Sequence, residues 1–195
     1  MIHIFFDLET TGFSSVQDKV IEIAAAAVDL KTGKIIETFQ TFSNPGVSIP
    51  SKITEITSIT DKMVANAPTE VIAFEMFAEF LNKYDNIEAL CGHNIKSFDM
   101  KWVESRIGRY DLDLDLTGIE ILDTLIMVRE IAKKGVLLGY NFTTPTGRPS
   151  FKLEYLMDYF ELGSQNHRAI DDVLNNVIVY KKLIEMESKN TSLGF

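Results

Sequence analysis

Two carboxylates interrupt the most hydrophobic strand of this chain, and that strand limits what the chain can fold into. Residues 1–8, Met1-Ile2-His3-Ile4-Phe5-Phe6-Asp7-Leu8, read as an extended segment apolar on both faces. That is the pattern of a strand covered on both sides at the centre of a sheet. Side chains alternate along a strand, so Asp7 and Glu9 point to one face while Leu8 points the other way into the core. Carboxylates in such a place are costly unless cations neutralise them. No basic region or cleavage site accompanies the run, so it is read as a strand and not as a signal peptide.

The remaining elements follow from periodicity and turn residues. Lys19–Asp29 reads as a second strand with Ile21, Ile23, Ala25 and Ala27 on one face. Leu30–Lys34 reads as a hairpin turn in which Gly33 supplies a positive φ, and Ile35–Phe42 alternates as a third strand. Pro45 and Pro50 break the chain before short helical turns in 51–65. Thr69 is placed to cap an amphipathic helix over Glu70–Lys83, with Phe74, Phe77, Ala78 and Leu81 on its apolar side. A short buried strand is expected over Glu88–Gly92, and a helix over Phe98–Ile107 with Trp102 and Val103 facing inward. A strand at Ile119–Asp123, a helix at Thr124–Lys133, a loop over Gly135–Ser150 and helices at Phe151–Phe160 and Arg168–Ser188 complete the chain. Strands first, then helices alternating with two short strands, imply a mixed α/β sheet covered by helices. The order resembles the ribonuclease H-like architecture, a five-stranded mixed sheet flanked by helices.

Asp99 at the start of its helix, and His167 with Asp172 near the end, join Asp7 and Glu9 in a set of four acids and one histidine. Oxygen ligands without thiolates favour Mg2+ or Mn2+ over zinc. Two such ions about 3.5–4 Å apart can clamp the attacking and leaving oxygens of a phosphodiester. The length of 195 residues suits one domain, and 46% hydrophobic residues can fill a core. No stretch approaches the length of a membrane span. The single cysteine, Cys91, excludes an internal disulfide, suits a reducing cytoplasm and sits in an apolar stretch as a small buried hydrophobe. The net charge of −9 opposes a broad basic surface for nucleic acid. Bound cations offset part of that charge, and holding only a few nucleotides at one end requires few phosphate contacts. Substrate binding is therefore expected to be weak, salt-sensitive and metal-dependent.

Asp7-Leu8-Glu9-Thr10-Thr11-Gly12 resembles the first motif of the DEDDh family of 3′–5′ exonucleases, to which the proofreading epsilon subunit of bacterial DNA polymerase III belongs. Cys91-Gly92-His93-Asn94 followed by Ser97-Phe98-Asp99 is similar to the second, and His167-Arg168-Ala169 followed by Asp172 to the third. Ile49-Pro50 through Ile59-Thr60-Asp61 to Ala67-Pro68, and Leu122-Asp123-Thr124-Leu125, match further habits of the family. The resemblance implies that Asp7, Glu9, Asp99 and Asp172 hold two divalent metal ions and that His167 is the general base. Asp171 competes with Asp172 on helical periodicity, and family spacing selects Asp172. The resemblance also places Thr10, Thr11, Gly12, Phe13 and Asn94 against the substrate. Gly12 lets the backbone approach a ligand, and Phe13 either stacks on a base or sugar or packs within the protein. His93 is read as structural. Ser58 stands where the family often has glycine, and the loop 136–149 is enlarged where substrate choice could be set.

The expected domain covers residues 1–186, with 187–195 a flexible tail. Asn190-Thr191-Ser192-Leu193-Gly194-Phe195 resembles the short peptide by which the epsilon subunit binds the sliding clamp, with Asn190 in place of glutamine; a frayed end without a partner is the competing reading. The expectation is a cytoplasmic, metal-dependent 3′–5′ exonuclease acting on single-stranded or frayed 3′ ends of DNA and releasing nucleoside 5′-monophosphates. Proofreading within a polymerase assembly is the first role. The rivals are an RNA-trimming exoribonuclease of the ribonuclease T or oligoribonuclease type, a small-nucleotide phosphoesterase, and a non-catalytic interaction module with this fold.

Overall fold

The computed structural model describes residues 1–162 and 168–192, apart from the side chains of 190–192. Three antiparallel strands open the chain: β1 (Ile2–Thr10), β2 (Val20–Asp29) and β3 (Lys34–Phe42). Two short helices, α1 (Ser51–Thr57) and α2 (Asp61–Val64), lead to α3 (Glu70–Asn82), β4 (Ile87–Gly92) and α4 (Asp99–Tyr110). Next come β5 (Glu120–Asp123), α5 (Thr124–Lys133), α6 (Leu153–Tyr159) and the long α7 (Ala169–Ser192). The sheet has five strands in the order β3-β2-β1-β4-β5, with β4 parallel to both β1 and β5. The doubly apolar strand is thus central, as its sequence predicts.

Parity along β1 and β2 divides the core in two. Ile4, Phe6 and Leu8, with Ile23, Ala25 and Ala27, pack beneath Phe74, Phe77 and Leu81 of α3 and Trp102 and Val103 of α4. Phe5, with Ala24, Ala26 and Val28, packs under Val173, Val177 and Tyr180 of α7. The run Ala24–Ala27 is buried on both faces, and such small side chains let helices approach the sheet closely. At the start of β2 the ladder slips, because Glu9 pairs with Glu22 but Thr10 with Val20. This bulge separates Ile21 from the face predicted for it, and Ile21 packs instead with Ile49, Ile59 and Val64 beside the short helices.

Three local expectations are corrected. Thr69 occupies the N-cap of α3 but its side chain makes no capping bond; its backbone instead bridges to Asn44. The loop between α5 and α6 is folded, with a bridge between Thr143 and Pro149 closed by Thr144 N donating to the Arg148 carbonyl at 2.7 Å. Helix α7 continues to Ser192, past the Ser188 expected as its end. Leu193–Phe195 lie outside the described residues. Gly33 has φ of 70°, as its turn requires. Among the described residues no helix is long and apolar enough to cross a membrane.

Candidate active site

The C-terminal ends of the parallel strands β1, β4 and β5 lie at one edge of the sheet, and the predicted acids gather there. Asp7 and Glu9 project from the α7 face of β1, while Leu8 between them is buried in the core on the other face. Helix α7 begins over this edge and presents Asp172 in its first turn. Carboxylate oxygens of Asp7, Glu9 and Asp172 all lie within 4.8 Å of one another. Tertiary structure therefore selects Asp172, and not Asp171, as the acid that meets Asp7 and Glu9. Asp99, the first residue of α4, is 2% exposed and accepts a bond from Leu8 N at 3.1 Å. It clamps β1 between Asp7 and Glu9.

The electrostatics are those of an anionic cluster short of positive charge. Burial, then Asp99, Glu9 and Asp172, raise the Asp7 carboxyl well above the usual carboxylate range. Burial, then Asp172 and Glu22, push Glu9 up to about 8, against the opposing pull of Arg168. Asp99 is raised to about 7 by burial, although hydrogen bonds from its own amide and from Leu8 hold it back. Shifts of this kind mark sites that a cation would relieve. All-oxygen donors on rigid elements fit a hard divalent ion.

Two acids missed by the sequence reading hold this arrangement in place. Glu22 is fully buried directly opposite Glu9. It accepts Arg168 Nη2 at 2.7 Å, Ala169 N at 3.2 Å and Gln40 Nε2 at 2.8 Å, so it fixes the start of α7. The Arg168 guanidinium also lies over the Phe42 ring. Glu70 accepts the fully buried Arg106 at 2.8 Å and Val20 N at 2.9 Å. Arg106 in turn donates to the carbonyls of Ser15 and Asp18, which ties the 11–19 loop to α4. The signal was available: an acid in an apolar strand, as at Glu22, has the same meaning as Asp7.

The remaining candidates divide by role. Thr10 and Thr11 are buried, and their hydroxyls serve the loop itself. Thr10 Oγ1 donates to the Gly12 carbonyl at 2.6 Å, and Thr11 Oγ1 accepts Lys19 N at 3.0 Å. A Cβ at Gly12 would meet the Asp18 carboxylate, which would have to move off the Ser14 amide that it accepts. Phe13 is 88% exposed, with its ring edge-on to Phe98 at 6.4 Å. Asn94 has φ of 66° and donates its amide to Asp123 Oδ1. His93 bonds Thr124 Oγ1 at 3.0 Å, and burial lowers its pKa to about 4. Thr124 also bonds Asn176 of α7 at 2.8 Å. His167 lies outside the described residues. Cys91 is buried in the core, as expected.

A family model described as exonuclease, the RNase T family, matches residues 4–180. Among similar proteins, the PolC-type DNA polymerase III of Bacillus cereus is 39% identical over 170 residues, covering 87% of this chain and 10% of that protein. The PolC-type polymerase of Latilactobacillus sakei is 37% identical over 188 residues, covering 96% and 12%. The chain thus spans about a tenth of the length of these relatives. Among solved structures, E. coli Exonuclease I in complex with a dT13 oligonucleotide superposes with a TM-score of 0.82 at 22% identity, over 98% of this chain and 43% of that one. Exonuclease I of Methylocaldum szegediense gives 0.78 at 22% identity, over 94% and 40%; at such identity these two matches speak to the fold. With the family model spanning nearly all of the sheet and the first half of α7, the chain belongs to the RNase T family of exonucleases, the DEDDh-type 3′–5′ exonucleases that its motifs resemble.

Proposed function

We propose that the chain hydrolyses the terminal phosphodiester of DNA from the 3′ end and releases nucleoside 5′-monophosphates. The observation that carries this reading is the convergence of Asp7, Glu9 and Asp172 within 4.8 Å, with Asp99 buried beside them. These four carboxylates are the residues to hold two divalent cations, Mg2+ or Mn2+. Bound there, such ions supply Lewis acidity toward water and the phosphodiester oxygens. The protein's own part is to hold the four acids on a strand and two helix starts, so that little rearrangement is needed when substrate arrives. His167 is assigned to take the proton of the attacking water at its imidazole. Phe13, exposed at the rim, offers a face on which any terminal base can stack. Asn94 is assigned to the substrate as well, whereas the Thr10 and Thr11 hydroxyls act through the shape of the loop.

Single-stranded or frayed 3′ ends are the proposed substrate, and proofreading in DNA replication or repair the proposed role. The PolC-type polymerases among the relatives support it. A cytoplasmic setting suits the free, buried Cys91. Binding of a sliding clamp through Asn190–Phe195 belongs to the same proposal.

A gel time course on 3′- and 5′-labelled single-stranded DNA and matched RNA, with Mg2+, Mn2+ or EDTA, tests the reading. Stepwise, metal-dependent loss from the 3′ end is expected, faster on DNA. Asp7→Ala and Asp172→Ala should abolish it, and His167→Ala should slow it by on the order of 10²–10⁴-fold. Near-normal turnover in either aspartate variant would refute the site, and faster trimming of RNA would reassign the substrate.

A further inference from the structure

The folded loop between α5 and α6 is where this acidic protein concentrates positive charge beside its active edge. From Ile131 to Leu153 the sequence contains Lys133, Lys134, Arg148 and Lys152 and no aspartate or glutamate, in a chain of net charge −9. Lys133 and Lys134 turn to Glu130 and Glu187. Arg148 sits in the turn that closes on Thr144, and Lys152 flanks the first turn of α6. Between this loop, α5 and the segment that follows β4 lies a cavity of about 450 Å³, lined by His93, Asn94, Arg129, Thr144, Ser150 and Lys152 among others. Its charged lining residues, Arg129 and Lys152, are both cations. The size is that of a small-ligand site.

Register places this cavity next to the carboxylates. Phe5 pairs with Cys91 across the parallel β1–β4 ladder, and both belong to the α7 side of the core. Two residues further along each segment stand Asp7 and His93. The His93–Thr124–Asn176 bonds then lead to α7 one turn after Asp172. The cavity floor and the carboxylate cluster are therefore neighbours on one sheet face.

The loop is also prepared to hold a shape. Tyr140 packs tilted against Phe142 and Phe151 and edge-on to Tyr159, and its hydroxyl donates to the Ser150 carbonyl. Phe142 lies parallel to Tyr155 with centroids 5.0 Å apart, and Tyr159 donates to the Leu138 carbonyl at 3.0 Å. An aromatic base of this kind limits the entropy lost when the rim binds a ligand.

We infer that the cavity between the 135–152 loop, α5 and the segment after β4, with Arg129 and Lys152 in its lining, binds backbone phosphates of the single DNA strand upstream of the end being cleaved. This rests on the exonuclease reading above and adds where the strand leaves the site. The surface pair of Lys152 with Glu154 at 3.1 Å does not oppose it, since exposed pairs of this kind are weak and yield to a phosphate.

The test compares Arg129→Gln/Lys152→Gln with Lys31→Gln/Lys34→Gln, which removes the same charge at the turn between β2 and β3, at the opposite end of β1. Fluorescence anisotropy of a labelled oligothymidylate is read over a salt series with Ca2+ in place of Mg2+, an oxygen-ligand cation that neutralises the carboxylates and is used to keep turnover slow. The cavity variant should bind on the order of tenfold more weakly, and its salt slope should fall by roughly 1.4, about 0.7 for each single-strand phosphate that is no longer neutralised. The control should match the wild type. Unchanged affinity and slope in the cavity variant, or an equal weakening in the control, would overturn the assignment. Wild-type hydrolysis of thymidine 5′-monophosphate p-nitrophenyl ester with Mg2+ is measured separately. Its absence, together with no cleavage of oligonucleotides, would sink the exonuclease reading, whereas the Ca2+ binding comparison tests the phosphate assignment alone.

Discussion

Ser58 is held at φ of 60° at the C-cap of α1, where its amide donates to the Thr54 carbonyl. An L-residue with a Cβ is strained in that region, and glycine is not. The strain, about 1–2 kcal/mol, exceeds the roughly 0.5–1 kcal/mol of backbone entropy that glycine costs. Ser58→Gly should therefore stabilise the fold slightly, read as a higher urea midpoint with an unchanged slope; an equal or lower midpoint would show that the serine is relaxed there. The departure from glycine noticed in the sequence thus has a structural cost. Other residues behaved differently from their neighbours in sequence. Asp7, Glu9 and Leu8 could be assigned to faces from alternation alone, because a strand has a period of two. Helical periodicity could not separate Asp171 from Asp172, because the face of α7 that meets the sheet depends on how the helix docks; only the family spacing chose Asp172.

At the scale of elements, α7 must start in one place for Asp172 to reach Asp7 and Glu9. Glu22 sets that place by receiving Arg168 and the Ala169 amide. Glu22→Gln weakens a charge-assisted, buried attachment, at a cost of about 1–3 kcal/mol. Its expected signature goes beyond stability: more Mg2+ for half-maximal activity and a lower kcat, with KM for the oligonucleotide little changed. A Mg2+ titration of the variant checks this, and wild-type metal dependence with the stability loss alone would reduce Glu22 to a structural prop. Helix and strand positions were legible because apolar periodicity is local. The Glu22–Arg168 and Glu70–Arg106 pairs were not, since their partners lie 146 and 36 residues apart and no local pattern joins them. The small hairpin in the 135–152 loop escaped for a related reason: its bridge closes over a few residues with little strand-like alternation.

For the whole molecule, the active-site carboxylates tie stability to pH and metal. Glu9 near 8, Asp99 near 7 and the raised Asp7 bind protons more tightly in the folded protein than in the unfolded chain. Between the ordinary carboxylate range and about pH 8 the native state therefore holds more protons, and stability falls as pH rises through that window. In EDTA, Tm at about pH 8.5 should lie several degrees below Tm at about pH 5.5, apart from any contribution of other groups. Mg2+ should raise Tm more at the higher pH, because the ion binds the deprotonated acids. Differential scanning calorimetry in both buffers decides it; a pH-independent Tm without metal would mean that the cluster is better solvated than its burial implies. The sequence by itself determined the central strand, the order of elements, the common face of Asp7 and Glu9 and the family, since each is written in local alternation or in short motifs. The tertiary structure brought Asp172 to those acids, as the family spacing implied, and it alone decided that Glu22 and Arg106 anchor the surrounding elements and that Arg129 and Lys152 line one cavity. These depend on the docking of α4, α5 and α7 against the sheet, where packing among distant segments sets the geometry.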